Sequence, residues 1–275
     1  MSDRYGCPES DLAHYTCHRT VRVPALDGRL AGPAWDAAPR SPRFVDLVTG
    51  APGFFETRMA ALWDASHFYI GYWAAEPDVR AELTERDSFV WTENDVELFI
   101  AGPDAYYEFQ INARGTIYEV FYIWQDAHRR GGFFDRPEFD LRARKVDVLG
   151  GFQDASRHGR HPRGKRWAFM DWDCAGLRAA VHVDGTLNDS RDVDRGWTAE
   201  IAIPWASLEP LAQGRPLPPR EGDVWRMDFS RFEALRCGGH RVQPDPGWAL
   251  NRHGVYDSHI PECFSFVHFT EAPAR

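Results

Sequence analysis

Cysteine is scarce in this chain, and its thiols form no recognisable motif. The five cysteines are Cys7, Cys17, Cys174, Cys237 and Cys263. No two of them form a C-x-x-C pair, so their spacing indicates neither a metal-ligand pattern nor a disulfide framework. Because disulfides are rare in reducing compartments, we expect a cytoplasmic protein. A secreted protein whose leader has been removed would show the same pattern.

The sequence also lacks the apolar segments of exported and membrane-embedded proteins. Residues 1–6 contain no apolar core of a secretory signal. No run of about 18 apolar residues occurs, so we expect no membrane-spanning segment. Excess positive charge is absent as well. The formal net charge of -9 argues against a nucleic-acid partner, because phosphate binding needs a basic surface. Neutral ligands, cationic ligands and Ca²⁺ are compatible with this charge.

No amphipathic helical pattern extends over two turns, whereas short alternating runs of apolar and polar residues recur. The clearest region is 91–122, where three such runs are joined by turns at 101–104 and 113–115. Strict alternation is typical of β-strands. Further runs fall at 59–74, 177–183, 197–203, 224–232 and 264–269. Ten to twelve strands predict an all-β protein, an antiparallel two-sheet β-sandwich of immunoglobulin-like or jelly-roll type.

The chain divides into a short arm and one large domain. Residues 1–20 are polar and predict an N-terminal arm or edge segment, and residues 21–275 predict a single sandwich. Val21–Ala38 is predicted to hold a short strand and a turn, and 80–86 one or two helical turns. Residues 125–170 are rich in Arg, His, Gly and Asp and lack strand alternation, so we expect a long inserted loop. Its histidines include His128, His158 and His161.

Alternation within 91–122 predicts a polar patch on one face of the sheet. Apolar side chains such as Val96 share one face, so Glu97, Gln110 and Asn112 share the other. Trp91 precedes the first strand, where its ring could border the patch. An aromatic ring beside an acid and two amides suits a sugar, whose C–H face stacks while its hydroxyls bind polar groups. The alternative is a polar face that simply meets water.

Several segments, taken in order, resemble the family 9 carbohydrate-binding modules of the wider DOMON-like β-sandwich superfamily. The resemblance spans about residues 21 to 270. It is carried by Asp27-Gly28, Trp35, 62–64, 69–71, 76–77, 83–88, 93–100, 106–113, 183–189, 195–198, 203–205 and 259–264. It implies a two-sheet antiparallel sandwich that binds the reducing ends of cellulose- and xylan-type sugars between two Trp rings. It also implies structural Ca²⁺.

The resemblance assigns roles to residues by their place in the motif. Trp91 matches the first stacking ring, and Glu97 matches the acid that binds sugar hydroxyls. Asn112 matches an Asn of the family. Gln110 stands where the family's sugar-binding member has an Arg, so a rigid five-donor group is lost. This difference implies another sugar or weaker binding.

The second stacking ring of the family falls near His259 in this chain. Histidine is smaller than Trp and can carry a charge, so the pair of rings departs from the family pattern. Tyr256 and Trp248 are the alternative rings.

Four acidic residues near predicted turns are candidate ligands for Ca²⁺, which takes six to eight oxygen atoms. They are Asp27, Asp36, Glu76 and Asp78. Because their spacing is loose, the alternative is that they are solvated turn residues.

Two main functions remain open. The first is a non-catalytic protein that binds a small saccharide or a polysaccharide end. The second is an enzyme acting on a sugar or glycoside, such as a hydrolase, lyase or isomerase. Glu97 and Glu108 would be its carboxylate pair, and His259 or His128 its base. A third hypothesis is a haem-binding sandwich, for which the methionines are Met59, Met170 and Met227.

Overall fold

In a computed structural model of the protein, residues 7–150, 161–237 and 240–274 are described. They form sixteen strands and three short α-helices. The strands are β1 His14–Arg19, β2 Val45–Asp46, β3 Thr57–Trp63, β4 His67–Ala75, β5 Asp95–Ala101, β6 Ala105–Asn112, β7 Ile117–Trp124, β8 Val146–Leu149, β9 Arg166–Phe169, β10 Arg178–Asp184, β11 Gly196–Pro204, β12 Val224–Phe232, β13 Arg236–Cys237, β14 His240–Arg241, β15 Gly247–Ala249 and β16 Ser265–Pro273. The helices are α1 Pro33–Ala37, α2 Gln125–Arg130 and α3 Glu209–Ala212.

The strands form a sandwich-like arrangement, which confirms the all-β prediction. Their hydrogen-bonded order is β10-β11-β4-β3-β1-β16-β12-β5-β6-β7-β9-β8. The half that ends at β1 packs against the half that begins at β16. Tyr72 on β4 lies against Phe229 on β12, with ring centroids 6.4 Å apart. Its hydroxyl donates to the carbonyl of Glu97 on β5 at 2.7 Å. The core therefore lies between the two halves.

The meander predicted for 91–122 is present as β5, β6 and β7, all antiparallel. Val96, Leu98 and Ile100 are buried in the main core, as the alternation predicts. Leu98 lies directly opposite Phe109 on β6. The apolar face of the meander therefore packs inward, and its other face is available to build a site.

The described part of the predicted arm, residues 7–20, is not an edge. It contains β1, which pairs in parallel with both β3 and β16. Tyr15 and Cys17 are buried while their neighbours His14 and Thr16 are exposed. The polar composition of the segment conceals this alternation of buried and exposed side chains, which explains why the sequence prediction was wrong here.

Two further local predictions were also wrong. The segment from Val21 to Gly32 forms no strand, and Leu26 and Leu30 adopt positive φ angles that are incompatible with one. Residues 80–86 form no helix. The backbone N–H of Ala81 donates to the Asn188 side chain, and that of Glu82 to the Glu93 carboxylate. These bonds to distant side chains replace those of a helix.

The predicted loop at 125–170 is more ordered than its composition suggests. It begins with α2 and contains β8 and β9. β9 pairs with β7 on one side and with β8 on the other, so both strands extend the sheet. His158 lies outside the described residues. The prediction failed because strands of four residues are too short to show a clear alternation.

Cys7 and Cys263 form a disulfide, which the spacing of the cysteines in the sequence did not indicate. The bond joins the start of the described chain to the turn before β16. Cys17 and Cys174 are buried free thiols, and Cys237 is an exposed one. The cytoplasmic location, which rested partly on the cysteine pattern, stays a prediction. In the part of the chain that the structure describes, no helix is long and apolar enough to cross a membrane.

Candidate functional site

The polar face of β12, β5, β6 and β7 is buried and forms the floor of a cavity of about 320 Å³. Alternation directs Glu97 on β5 and Glu108 and Gln110 on β6 to this floor. Glu97 lies directly opposite Gln110 in the strand register. The exposed fractions of the three residues are only 4%, 3% and 1%. The polar face therefore does not simply meet water, which was the alternative left open by the sequence.

Six of the residues predicted to bind a ligand or to act in catalysis line this one cavity. They are Trp91, Glu97, Glu108, Gln110, Tyr256 and His259. The turn before β5, β5 and β6 supply the first four and follow one another in sequence, whereas Tyr256 and His259 come from the distant segment before β16. The structure thus brings these predicted residues together in one cavity, and their role in binding stays a prediction.

Aromatic rings stand at the mouth of the cavity. Trp91 is 50% exposed and Phe89 is 52% exposed. Their ring centroids are 5.7 Å apart, and Phe89 also packs edge-on against Tyr118. Tyr256 packs edge-on against Phe232, with ring centroids 5.6 Å apart. Exposed rings at the mouth of a cavity can stack on a ligand without further change to the core.

His259 is held as a neutral imidazole. Burial and the nearby Arg166 guanidinium lower the pKa of His259 to about 3. Arg166 donates to the Tyr106 hydroxyl at 3.0 Å, and that hydroxyl lies 3.1 Å from Nδ1 of His259. With Arg166 donating to its oxygen, the Tyr106 hydroxyl is able to donate its proton to Nδ1, and in that tautomer the ring proton is on Nε2. His259 can therefore donate a hydrogen bond, but it is a poor general base at neutral pH.

Gln110 holds the two floor carboxylates together. Its amide nitrogen donates to Glu97 at 2.9 Å and to Glu108 at 2.6 Å. The other Glu108 oxygen accepts from the Tyr122 hydroxyl at 2.6 Å. The Glu97 and Glu108 oxygens that accept from the Gln110 nitrogen can be no farther apart than the sum of their two distances to that nitrogen. This limit lies near the short end of the separation of about 5 to 9 Å found in glycoside hydrolases.

Burial makes both carboxyl groups difficult to ionise. Desolvation, followed by the charges of Asp95, Glu108 and Asp228, raises the pKa of Glu97 well above its usual value. Desolvation raises the pKa of Glu108 to about 7, although hydrogen bonds from Tyr122 and Gln110 oppose the rise. The floor therefore holds protons under conditions in which an exposed glutamate would be fully charged.

A chain of buried polar groups supports the floor from behind. The Ser230 hydroxyl lies 3.2 Å from the second Glu97 oxygen and 2.9 Å from Asp228. Asp228 in turn lies 3.2 Å from Nε2 of His253, a fully buried ring. His253 and Asp228 do not line the cavity and serve to orient Glu97 through Ser230.

Several cavity residues were missed by the sequence analysis. They are Phe89, Phe99, Tyr118, Tyr122, Asp147, Val148, Leu149, Ala168, Met170, Phe232, Asp257 and Ser258. Tyr118 lies directly opposite Gln110, so continuing the alternation into β7 would have found it. Residues 147–149 belong to β8, which the composition of 125–170 concealed.

Other predicted residues lie elsewhere. The Asn112 amide donates to Leu83 and Glu93, and its oxygen accepts from the Thr116 backbone. Asn112 therefore fixes two loops and does not line the cavity. His128 bonds to the carbonyl of Phe139 at 2.9 Å, which places it in the fold of the segment after β7.

Two further ring residues are also structural. Trp248 is buried, and its indole donates to the Thr57 hydroxyl at 2.8 Å. His161 packs against Trp124 and lies 3.0 Å from a Glu262 oxygen. Neither of the rings lines the cavity.

The structure does not assemble the four proposed Ca²⁺ ligands. Within residues 7–150, 161–237 and 240–274, no group of three or more His, Cys, Asp or Glu could hold a metal ion. The Glu76 carboxylate accepts from Asn94, Trp197 and Arg231, which are donors that a cation would displace. Asp78 pairs with Arg80 at 2.9 Å, while Asp27 and Asp36 are exposed. These residues do not fit a shared site, and bound calcium stays a prediction.

The methionines considered for haem do not converge either. Met59 and Met227 are fully buried in the main core, whereas Met170 lines the cavity. The sulfur atoms therefore provide no common ligand site.

Comparisons with known proteins show the fold. No protein-family model matches the chain, and no curated protein matches it. A Bacteroides uniformis protein provisionally described as carbohydrate-binding matches with 15% identity and a TM-score of 0.60, over 94% of this chain and 99% of that one. A family 9 carbohydrate-binding module from Caldicellulosiruptor kristjanssonii, in complex with glucose, matches with 10% identity and a TM-score of 0.50. That match covers 94% of this chain and 98% of the module.

This chain has the fold of the family 9 carbohydrate-binding modules. The resemblance found in the sequence is thus confirmed for the architecture. Identities of this size show the fold alone, so function has to be argued from the cavity.

Proposed function

We propose that this protein binds a saccharide, without converting it, in the cavity beneath Trp91. One observation carries the proposal. The half-exposed Trp91 ring and the buried Glu97–Gln110–Glu108 set line the same cavity. An aromatic face and a group of polar side chains are the two parts that a sugar ring requires.

The size and exposure of the cavity support a small ligand or a chain end. Its volume of about 320 Å³ lies at the lower end of the usual range for ligand pockets. Trp91 at the mouth leaves space for a saccharide to continue into solvent. The polar floor would bind the hydroxyls of the sugar unit that enters.

The directional groups around the cavity are compatible with hydroxyl recognition. The Glu97 and Glu108 carboxyl groups accept or donate according to their protonation state, while Nε2 of His259 donates. A sugar hydroxyl both donates and accepts, so it can bond to either kind of group. The glucose complex of the structurally similar module supports the same class of ligand.

An enzyme acting on a glycoside is the second candidate. It is favoured by one observation, namely that Glu97 and Glu108 both bond to the Gln110 amide nitrogen. Two further observations weigh against it. The pKa values of both carboxyl groups are raised, although a nucleophile must be ionised. The pKa of His259 is too low for a base at neutral pH.

Saturation-transfer NMR with a panel of mono- and disaccharides tests the proposal. We expect transfer to sugar protons whose spectrum does not change over hours. Trp91→Ala should abolish the transfer, while Phe54→Ala, which removes an exposed ring outside the cavity, should leave it intact. New sugar signals that grow with time would establish the enzyme instead. Absence of transfer from every sugar would contradict both functions.

A further inference from the structure

The cavity is acidic on more than one wall. Glu97 and Glu108 lie on its floor, Asp147 on the β8 side, and Asp257 in the segment before β16. Among the described residues that line the cavity there is no lysine or arginine. The single ring that could be cationic, His259, has a pKa lowered to about 3 and is neutral. A ligand in this cavity therefore meets several carboxyl groups and, among the described lining residues, no lysine or arginine.

Two buried polar atoms on residues that line the cavity lack partners in the part of the chain that the structure describes. The side-chain oxygen of Gln110 has no hydrogen-bond partner among the described residues, although Gln110 is only 1% exposed. The Ser258 hydroxyl, on a residue that is 5% exposed, also has none. Leaving a buried acceptor unpaired is unfavourable. A ligand that donates to Gln110 would remove this cost.

The neighbours of Glu97 and Glu108 reinforce the need for a cation. The titratable groups facing them are Asp95 on β5, Tyr118 and Tyr122 on β7, Asp228 on β12, and Asp257 and His259 before β16. Asp95, Asp228 and Asp257 carry carboxyl groups, whereas the raised pKa values of the two tyrosines keep them neutral. Asp228 has His253 as a partner at 3.2 Å. The Arg166 guanidinium donates to the Tyr106 hydroxyl and to the His259 carbonyl. In the described part of the chain, the partners of Glu97 and Glu108 are Gln110, Ser230 and Tyr122, and no lysine or arginine donates to either acid.

An ammonium group would satisfy these features together. It donates three hydrogen bonds and accepts none, which matches a floor of carboxylates and an amide oxygen. The rings of Trp91 and Tyr256 at the mouth add a surface for the C–H face of a sugar and for a nearby positive charge.

We propose that the cavity selects an amino sugar, a saccharide whose ring carries a protonated amine, over the matching neutral sugar. The amine would lie at the floor between Glu97 and Glu108 and donate to Gln110. This inference rests on the proposed saccharide binding and specifies the class of sugar.

Three β-1,4-linked disaccharides that differ only at carbon 2 provide the test. Calorimetric titrations would compare the three sugars. Cellobiose carries a hydroxyl at carbon 2, the disaccharide of glucosamine carries an amine there, and its di-N-acetyl form carries an acetamide. The intact chain would be used at a pH where the amine is protonated. We expect the diamino sugar to bind about ten- to a hundredfold more tightly than cellobiose, as charge-assisted hydrogen bonds imply. The acetylated sugar, which has no charge, should bind no better than cellobiose.

Charge-neutralising variants and changes in salt concentration test whether the preference for the diamino sugar comes from the floor carboxyl groups. Glu108→Gln and Glu97→Gln keep the shape of the side chain and remove its charge, so each should reduce the preference for the diamino sugar at least fivefold. Glu82→Gln, an exposed acid outside the cavity, should leave the preference unchanged. If a floor variant fails to fold, the wild-type protein still provides a test. Raising the salt concentration should weaken binding of the diamino sugar and leave cellobiose binding nearly constant.

The outcomes separate this inference from the proposed function. Equal affinity for cellobiose and the diamino sugar would overturn the amino-sugar preference and leave saccharide binding intact. Tight binding of the diamino sugar that persists in both floor variants would place the amine elsewhere and would also overturn it. If none of the three sugars nor any other saccharide binds, the proposed function itself fails.

Discussion

Two groups of buried acids lie on the same sheet and differ in how their charge is compensated. In the paired cluster, Arg231 lies 3.0 Å from Glu76 and 2.7 Å from Glu233. The Asn94 amide donates to the same two acids. In the cavity floor, Glu97 and Glu108 share a neutral amide instead. The acids of the first group are paired with the Arg231 guanidinium, whereas those of the second group line a cavity.

The difference separates a structural role from a binding role. The Arg231 side chain is fully buried, and its second nitrogen also donates to the Ala75 carbonyl, so it joins β12 to the end of β4. A buried pair of this kind belongs to the fold. A buried acid without a cation is unfavourable unless something else supplies the interaction, and its presence at a cavity therefore points to a ligand.

The largest effect is expected when the paired cluster loses its cation. Arg231→Met leaves Glu76 and Glu233 buried without compensation, so the free energy of unfolding should fall by about 3–5 kcal/mol. Urea unfolding measures this loss. Arg19→Met is the matched control, since Arg19 forms an exposed pair with Glu271 and should cost at most about 1 kcal/mol. Equal losses in the two variants would show that the paired cluster is not structurally special.

Asn112 should behave as a structural residue, in contrast to Gln110. Asn112→Ala removes the bonds that fix the loops near Leu83 and Thr116, so it should cost about 1–3 kcal/mol of stability. Its saccharide affinity should change less than twofold. Gln110→Ala, by comparison, should lose saccharide affinity. A large affinity loss in Asn112→Ala would restore the role that the family resemblance implies.

The floor acids should make the protein less stable as pH rises. The pKa of Glu108 is raised to about 7, so the native state retains a proton that the unfolded chain has lost. Stability should therefore fall between about pH 4.5 and 7. Glu108→Gln should reduce this fall by on the order of 2 kcal/mol, measured by urea unfolding across that range. An unchanged pH profile would mean that Glu108 ionises normally in the folded protein.

The smallest effect is expected at the edge of the cavity. Phe89 packs against both Trp91 and Tyr118, so Phe89→Ala should loosen the stacking ring and weaken saccharide binding about two- to tenfold. Phe54→Ala is the control for removing an exposed ring. Titration calorimetry measures the saccharide affinity of both variants. Identical affinities would show that Phe89 does not contribute to the site.

The sequence predicted the parts of the site that follow from local alternation. Glu97, Gln110 and Trp91 were predicted because their positions follow from the alternation of side chains along a strand and from one adjacent turn. His259 and Tyr256 were reached only through the family resemblance, since nothing local links them to β5. The alternation along β6 predicts that Asn112 faces the same side as Gln110, but its amide bonds to a loop 29 residues away in sequence. Alternation along one strand cannot show this.

The remaining parts depend on contacts between distant segments. The short strand β8 supplies Asp147, and its pairing with β9 cannot be read from a segment rich in Arg and Gly. The paired cluster of Glu76, Glu233 and Arg231 could not be predicted either, because its contacts also join distant segments. Glu76 was considered a calcium ligand because it is an acid near a predicted turn, and its partner Arg231, 155 residues away, could not be anticipated. Charge compensation is a property of the folded chain, so it could not be assigned from composition.

The comparison of Glu97→Gln with Glu76→Gln tests the central claim most directly. Both variants neutralise one buried acid without changing its shape. Cellobiose affinity and the urea midpoint would be measured for each protein. We expect Glu97→Gln to lose at least tenfold in affinity while keeping its midpoint, and Glu76→Gln to lose stability while keeping its affinity. If Glu76→Gln weakens binding as much as Glu97→Gln does, or if Glu97→Gln unfolds the protein and spares binding, the division between structural and binding acids is wrong.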